Sequence, residues 1–220
     1  MDCTWITAKR TGAATAIAAK HLAKENSRVL GILGCGVQGR SNLEALSVVC
    51  KDLEEAKAYD VNEKNLQKYT KEMSAKYGLK ISPVDSPKKV VENSDIVVTA
   101  GPILKHPHPV IERSWFKDGG FACALDFDSY WKPEAMHSMD KFCTDDRDQL
   151  DYYRMHGYFY DIPDVYADLS EIASGKKPGR ESSKERIMSM NLGLAIEDVA
   201  TAALIYEKAR RKEVGRWLPL

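Results

Sequence analysis

The sequence predicts an α/β protein built on a doubly wound parallel sheet, and three observations support that expectation. Short apolar stretches alternate with stretches of helical spacing along most of the 220 residues, the order a parallel sheet requires. A glycine-rich turn, Gly34-Cys35-Gly36-Val37-Gln38-Gly39, follows one apolar stretch and opens a helical one. An acidic residue, Asp60, closes the next apolar stretch.

Each element can be justified in order. Residues 7–23 are alanine-rich and free of proline, which favours helix, and their small side chains allow close approach to a neighbour. Residues 28–33 read as a buried strand. Residues 37–50 return to helical spacing, with Leu43, Leu46 and Val49 near one face. Residues 57–60 form the next strand, and Asn62 is placed to cap a helix running to about Tyr77. A strand is expected at 80–84, and Ser86-Pro87 opens a short helix with proline in its first turn. Residues 95–100 are apolar enough to be buried on both faces, and strands are also expected at 121–125 and 141–144. The turn at 175–180 separates this unit from a closing helix over about 189–211, with an apolar stripe that includes Leu194, Val199, Ala202 and Ile205.

The glycine turn points to a dinucleotide. Gly34 permits a tight turn, Gly36 lets the backbone approach a pyrophosphate, and Gly39 allows helix and strand to pack closely. The helix start at Val37 and Gln38 presents N–H groups and a positive dipole end to the phosphates. Asp60 is placed to accept hydrogen bonds from ribose hydroxyls and to repel a 2′-phosphate, which favours NAD over NADP. Arg40 is a nearby cation that could receive a 2′-phosphate, and Asp60 outweighs it. The expected architecture is thus Rossmann-type.

Composition excludes several other classes. Lysine plus arginine and aspartate plus glutamate both number 32, which argues against nucleic acid as the main partner. No apolar run approaches the ~18–20 residues that span a bilayer, and the N-terminus has no charged-then-apolar leader pattern. A cytoplasmic location without membrane contact is the expectation. The five cysteines (Cys3, Cys35, Cys50, Cys123, Cys143) contain no Cys-x-x-Cys pair, so no zinc knuckle or redox pair is expected. All but Cys35 lie in apolar surroundings and are expected to be buried thiols. The loop that holds Cys35 is expected to face the cofactor, and no nearby base recommends the thiol as a nucleophile. His106 and His108 lie in a proline-rich loop with no carboxylate or cysteine close by, so no metal is expected. Trp115 and Phe116 are expected to anchor that loop to the core.

Three segments resemble the ornithine cyclodeaminase/mu-crystallin family: residues 6–18 with Arg10-Thr11-Gly12-Ala13, residues 128–134, and residues 193–200. The resemblance spans essentially the whole chain, in order. It implies hydride chemistry at an amino-acid α-carbon, as in cyclodeaminases, amino-acid dehydrogenases and ketimine reductases, or cofactor binding alone, as in a crystallin. The activity expected first is conversion of L-ornithine to L-proline and ammonia through bound NAD. It assigns Arg10 to the substrate carboxylate, for which a planar guanidinium suits two parallel hydrogen bonds. It assigns Asp128 as the catalytic carboxylate, after a strand end where α/β sheets place ligands. Chemistry alone leaves Asp126 as a competitor; the alignment of Lys132 and Glu134 behind Asp128 decides between them. Thr99 lines the adenine or ribose side of the pocket or is structural. Lys132 contacts the cofactor or is a solvated surface lysine. Asn191 falls where many relatives carry a serine beside the nicotinamide carboxamide.

The resemblance also implies departures. Family members have a segment before the Arg-Thr-Gly-Ala motif that supplies an arginine and a lysine to the substrate carboxylate and much of a homodimer contact. Met1 lies nine residues before Arg10, and residues 1–6 already resemble mid-chain family sequence, so the chain is expected to start at an internal methionine. Trp131 stands where a glycine is usual and Met190 where a lysine is frequent. The implied division is a helix at 1–25 belonging to an incomplete substrate and dimerisation part, a Rossmann domain at 26–165, and a C-terminal helical segment at 166–220 packing back on that part.

Overall fold

The computed structural model describes residues 3–216. Met1, Asp2 and residues 217–220, at the outer ends of the expected 1–25 and 166–220 segments, lie outside the described residues.

One parallel sheet organises the chain. Its strands are β1 (Val29–Leu33), β2 (Glu55–Tyr59), β3 (Lys80–Pro83), β4 (Ile96–Thr99), β5 (Phe121–Ala124), β6 (Lys141–Thr144), β7 (Ala167–Asp168) and β8 (Ile187–Met190). Their order across the sheet is β3-β2-β1-β4-β5-β8-β6-β7, with every pairing parallel. The order reverses direction between β1 and β4, the switch point at whose carboxyl edge such sheets bind ligands. The long helices are α1 (Cys3–Leu22), α2 (Val37–Val49) and α3 (Glu63–Tyr77), with α4 (Pro87–Val91), α5 (Pro133–Met136), α6 (Arg147–Met155), α7 (Leu169–Ala173) and α8 (Ala195–Arg211) completing the order.

The central strands β4, β5, β6 and β8 are buried at every position, because helices and loops cover both faces. Two apolar clusters fill those faces. One gathers α1, α2 and α3 around Leu22, Leu43 and Leu46, and the other surrounds Phe116, Phe127 and Trp131. α3 starts where the sequence places it: Asn62 Oδ1 accepts from the N–H groups of Lys64 and Asn65. Ser86 precedes α4 with Pro87 in its first turn, although its side chain makes no cap hydrogen bond.

Four expectations are corrected. The closing helix begins at Ala195, not near 189, because Ile187–Met190 is a strand inserted between β5 and β6. Its four residues (Ile-Met-Ser-Met) are short and apolar, and such a run does not distinguish strand from buried helix by period. The sheet therefore crosses the expected division at 165/166, taking β7 and β8 from the far side. The apolar stripe of α8 is largely open: no residue of the helix is buried, and Val199 is 67% exposed. Cys3 is exposed, whereas Cys35, Cys50, Cys123 and Cys143 are buried.

Tertiary ties hold the N-terminal helix to the sheet. The Arg180 guanidinium donates to the carbonyls of Leu22, Gly120 and Glu185, and so joins the turn at 175–180 to α1 and β5. Lys141, 7% exposed at its side chain, is held by Glu181, Glu185 and the Gly179 carbonyl. No described helix is long and apolar enough to cross a membrane.

Candidate cofactor and substrate cleft

β1 delivers the glycine turn directly onto the start of α2. Gly34 adopts φ +98°, and a Cβ there would strike the Ala100 carbonyl. A Cβ on Gly39 would strike the Gly34 carbonyl and Ile32, so the first turn of α2 sits against the end of β1. Gly36 differs: a Cβ there meets nothing within 4 Å. Open space above Gly36, beside the α2 N-terminus whose first N–H groups have no intrahelical acceptor, is what an approaching pyrophosphate needs.

Asp60 ties this loop to β2. Its Oδ2 accepts from the Cys35 N–H at 2.8 Å and its Oδ1 from the Asn62 N–H at 2.8 Å. Each oxygen keeps a second lone pair for a ribose hydroxyl. Arg40 is already engaged, with Nη1 2.6 Å from Glu72 and the guanidinium 5.4 Å above the Tyr69 ring, which removes it as a ready partner for a 2′-phosphate. Burial first, and then the Asp60 charge, pushes the Cys35 thiol up to about 12, so it is no nucleophile.

α1 brings Arg10 to the same cleft. Its small face packs on α2, with Gly12 against the Ser41 carbonyl and Lys9 paired to Glu44 at 2.6 Å. The cleft holds about 230 Å³ and is lined by Arg10 and Thr11 from α1, Gln38 from α2, Gly101, and Asn191 beyond β8. Asn191 is 4% exposed; its Oδ1 accepts from the Ser189 hydroxyl at 2.6 Å, while its Nδ2 is buried with no partner. An unpartnered buried amide N–H is costly unless a ligand satisfies it, and a nicotinamide carboxamide oxygen is a suitable acceptor. The open space over Gly36, the free lone pairs of Asp60 and the Asn191 amide are groups that suit a dinucleotide.

The other expected site residues are distributed differently. Asp128 is 6% exposed, its Oδ1 has no partner, and burial pushes its carboxyl up. It lines a second cavity of about 300 Å³ with His106, Trp131 and Tyr160, so it and Arg10 do not share one cavity. Asp126 is wholly buried, accepting from the Thr99 hydroxyl at 2.6 Å and the Gly101 N–H at 2.8 Å; burial lifts its carboxyl to about 6 against those bonds. Thr99 is sealed in that network and also accepts from Trp131 Nε1 at 3.4 Å. Lys132 does not line the cleft; its Nζ pairs with Glu112 at 2.8 Å. His106 and His108 are exposed, and no group that could hold a metal occurs among the described residues. Phe116 is buried and meets Trp131 edge-on at 5.5 Å, anchoring the preceding loop.

Two carboxylates of the cleft and a third behind it, Asp145, Glu197 and Asp198, were not singled out in the sequence. Asp145 lines it, 5% exposed, with Oδ2 accepting from the Gly193 N–H at 2.6 Å. Glu197 Oε2 lies 3.4 Å from Arg10 Nη1, and Asp198 Oδ1 lies 3.2 Å from Arg10 Nε. The signal for Asp145 was its place after the strand at 141–144, the rule that selected Asp128. Glu197 and Asp198 lay inside the 193–200 motif, where helical spacing gives no hint of Arg10.

The sequence model of the ornithine cyclodeaminase/mu-crystallin family matches residues 1–213. The chain belongs to that family. An alanine dehydrogenase from Archaeoglobus fulgidus is 37% identical over 98% of this chain and 67% of its own length. The fold superposes with a TM-score of 0.87 on the Δ1-pyrroline-2-carboxylate reductase of Thermococcus litoralis in complex with NADH and L-proline, 35% identical over 98% of this chain and 68% of that one. An archaeal alanine dehydrogenase dimer with bound NAD also gives 0.87, at 34% identity over 100% of this chain and 69% of that one. The chain thus spans about two thirds of the length of the relatives it matches.

Proposed function

We propose that this protein is an NAD(H)-dependent oxidoreductase acting at the α-carbon of a small amino acid or the matching imine. The single observation behind this reading is that Arg10, the phosphate-loop residue Gln38 and Asn191, whose buried amide N–H has no partner, line one cleft. Relatives named alanine dehydrogenase and pyrroline-2-carboxylate reductase weigh toward a dehydrogenase or reductase. The cyclodeaminase conversion of ornithine expected from the sequence becomes the second reading.

Gly34, Gly36, Val37, Gln38 and Gly39 hold the pyrophosphate, Asp60 the ribose hydroxyls and Asn191 the carboxamide. Bound NAD supplies the hydride acceptor, and NADH the donor in the reductive direction. Arg10 holds the substrate carboxylate and so fixes Cα for transfer. A nearby carboxylate takes the proton that the ammonium must shed as the C–N bond becomes an imine. Asp128 has this role by resemblance, and its unpartnered, upward-shifted carboxyl suits proton exchange. Asp145 is the alternative by placement in the Arg10 cleft. The proposed assembly is a homodimer, in keeping with the dimer named for the archaeal dehydrogenase and with the open apolar side chains of α8.

The test follows absorbance at the NADH band. L-alanine or L-proline with NAD is expected to generate NADH, and Δ1-pyrroline-2-carboxylate to consume it. Ammonia and proline formed from L-ornithine without accumulating NADH would replace this reading with the cyclodeaminase. NADH binding with no turnover of any of these compounds would replace it with a cofactor-binding crystallin. Asp128→Asn and Asp145→Asn then identify the acid/base group by which one loses kcat, on the order of 100-fold or more.

A further inference from the structure

Arg10 is held loosely. Its contacts to Asp198 and Glu197 measure 3.2 and 3.4 Å, against 2.6 Å for Lys9–Glu44 and Arg40–Glu72 on the neighbouring helices. Charge-assisted bonds normally lie near 2.7–2.9 Å, so an arriving carboxylate can make shorter bonds to this guanidinium than its present partners do. The surroundings do not favour a simple anion, however. Arg10 is the one cation among the described residues lining the cleft, and Asp145 and Glu197 line it too, with Asp198 behind. Glu197 and Asp145 line the same cleft: burial, then the Asp145 charge, raises the Glu197 carboxyl while Arg10 lowers it. Asn191, whose buried Nδ2 has no partner, lines the same cleft.

We propose that Glu197 makes this cleft selective for carboxylates that also carry a free amine. A plain carboxylate reaching Arg10 must displace Glu197 and leave it beside Asp145 without a cation, a like-charge arrangement that disfavours binding. An amino acid instead offers its ammonium to Glu197 and Asp145 as its carboxylate takes Arg10, so each displaced charge regains a partner. Asp198, one residue along α8, retains Arg10 Nε and keeps the guanidinium in place during the exchange. This rests on the proposal that the cleft takes an amino acid, and adds which residue does the discriminating.

The experiment measures ligand binding to the NADH-saturated protein at pH 8, by NADH fluorescence and calorimetry. L-alanine is paired with propionate, and L-proline with cyclopentanecarboxylate, for the native protein and for Glu197→Gln. The native protein is expected to prefer the amine-bearing member of each pair by about tenfold or more, and Glu197→Gln to compress that preference to about threefold or less by binding the plain acid more tightly. An unchanged preference in Glu197→Gln overturns the proposal. So does equal weakening of both members, which would make Glu197 a positioning residue for Arg10. Equal binding of both by the native protein also overturns it and leaves the amino-acid cleft standing. A native NADH complex that binds neither member removes the amino-acid reading and this proposal with it. Glu197→Ala serves as the second variant if Gln lowers Tm.

Discussion

The two halves of the cleft are built in opposite ways. On the phosphate-loop side the polar groups are matched at short range: Cys35 N–H to Asp60 at 2.8 Å, Arg40 to Glu72 at 2.6 Å. On the Arg10 side the contacts of the guanidinium itself are long, one amide N–H is unpartnered, and burial pushes up the Asp145 and Glu197 carboxyls. The first half also rests on a dense core, whereas α8, which supplies Glu197, buries none of its residues. The phosphate loop is fixed by short bonds and presents backbone N–H groups; the Arg10 side presents side chains whose own bonds are long or missing. Unpaired polar groups weaken a fold, and functional sites are where such costs concentrate.

The sharpest way to break this contrast uses two glycines of the loop. Gly39→Val forces a side chain into the Gly34 carbonyl and is expected to cost about 4 kcal/mol by denaturant unfolding, with loss of NADH binding. Gly36→Ala meets open space, so stability should stay within about 0.5 kcal/mol while NADH binds about tenfold or more weakly. Normal NADH affinity in Gly36→Ala would mean that the pyrophosphate does not lie over this residue.

Asp126 sits between the two halves and gives the next largest effect. Burial lifts it to about 6, so the folded chain keeps this proton over a range where the unfolded chain has lost it. Stability from this group is full below about pH 4 and falls as pH rises through about 6, by about 3 kcal/mol in all. Asp126→Asn should flatten that part of the stability–pH curve; an unaltered slope would place its origin elsewhere.

At the opposite end of β1 the sign reverses. Burial alone would raise the Asp95 carboxyl, but hydrogen bonds from Lys117 and the Arg28 and Val29 N–H groups hold it at about 2. Its contribution is present above about pH 4 and is lost toward pH 2, about 2 kcal/mol that Asp95→Asn should remove from the acid limb. The smallest effect is expected at Lys132, whose partly exposed pair with Glu112 lies outside both halves. Lys132→Ala should change stability by less than about 0.5 kcal/mol and leave NADH affinity unaltered.

Legibility followed chain distance. The loop, Asp60 and the Asn62 cap were readable because each acts within one strand–turn–helix unit, and Cys35 and Asp60 are only 25 residues apart. Arg10 and Asp198 are separated by 188 residues, and no periodicity reports what meets across that distance. The strand at 187–190 was hidden for a related reason: four apolar residues suit helix and strand alike until neighbours supply hydrogen bonds on both sides.

The sequence by itself determined the parallel sheet, the turn onto α2 and the acidic residue that faces it. Backbone sterics and short-range hydrogen bonding require glycine, a cap residue or an apolar run at fixed offsets, and those requirements are written locally. Only the tertiary structure decided that Arg10 lies among Asp145, Glu197 and Asp198, and that Asp128 opens onto a separate cavity. Electrostatic environment depends on what packing brings within a few ångströms, and that is set by the whole sheet at once.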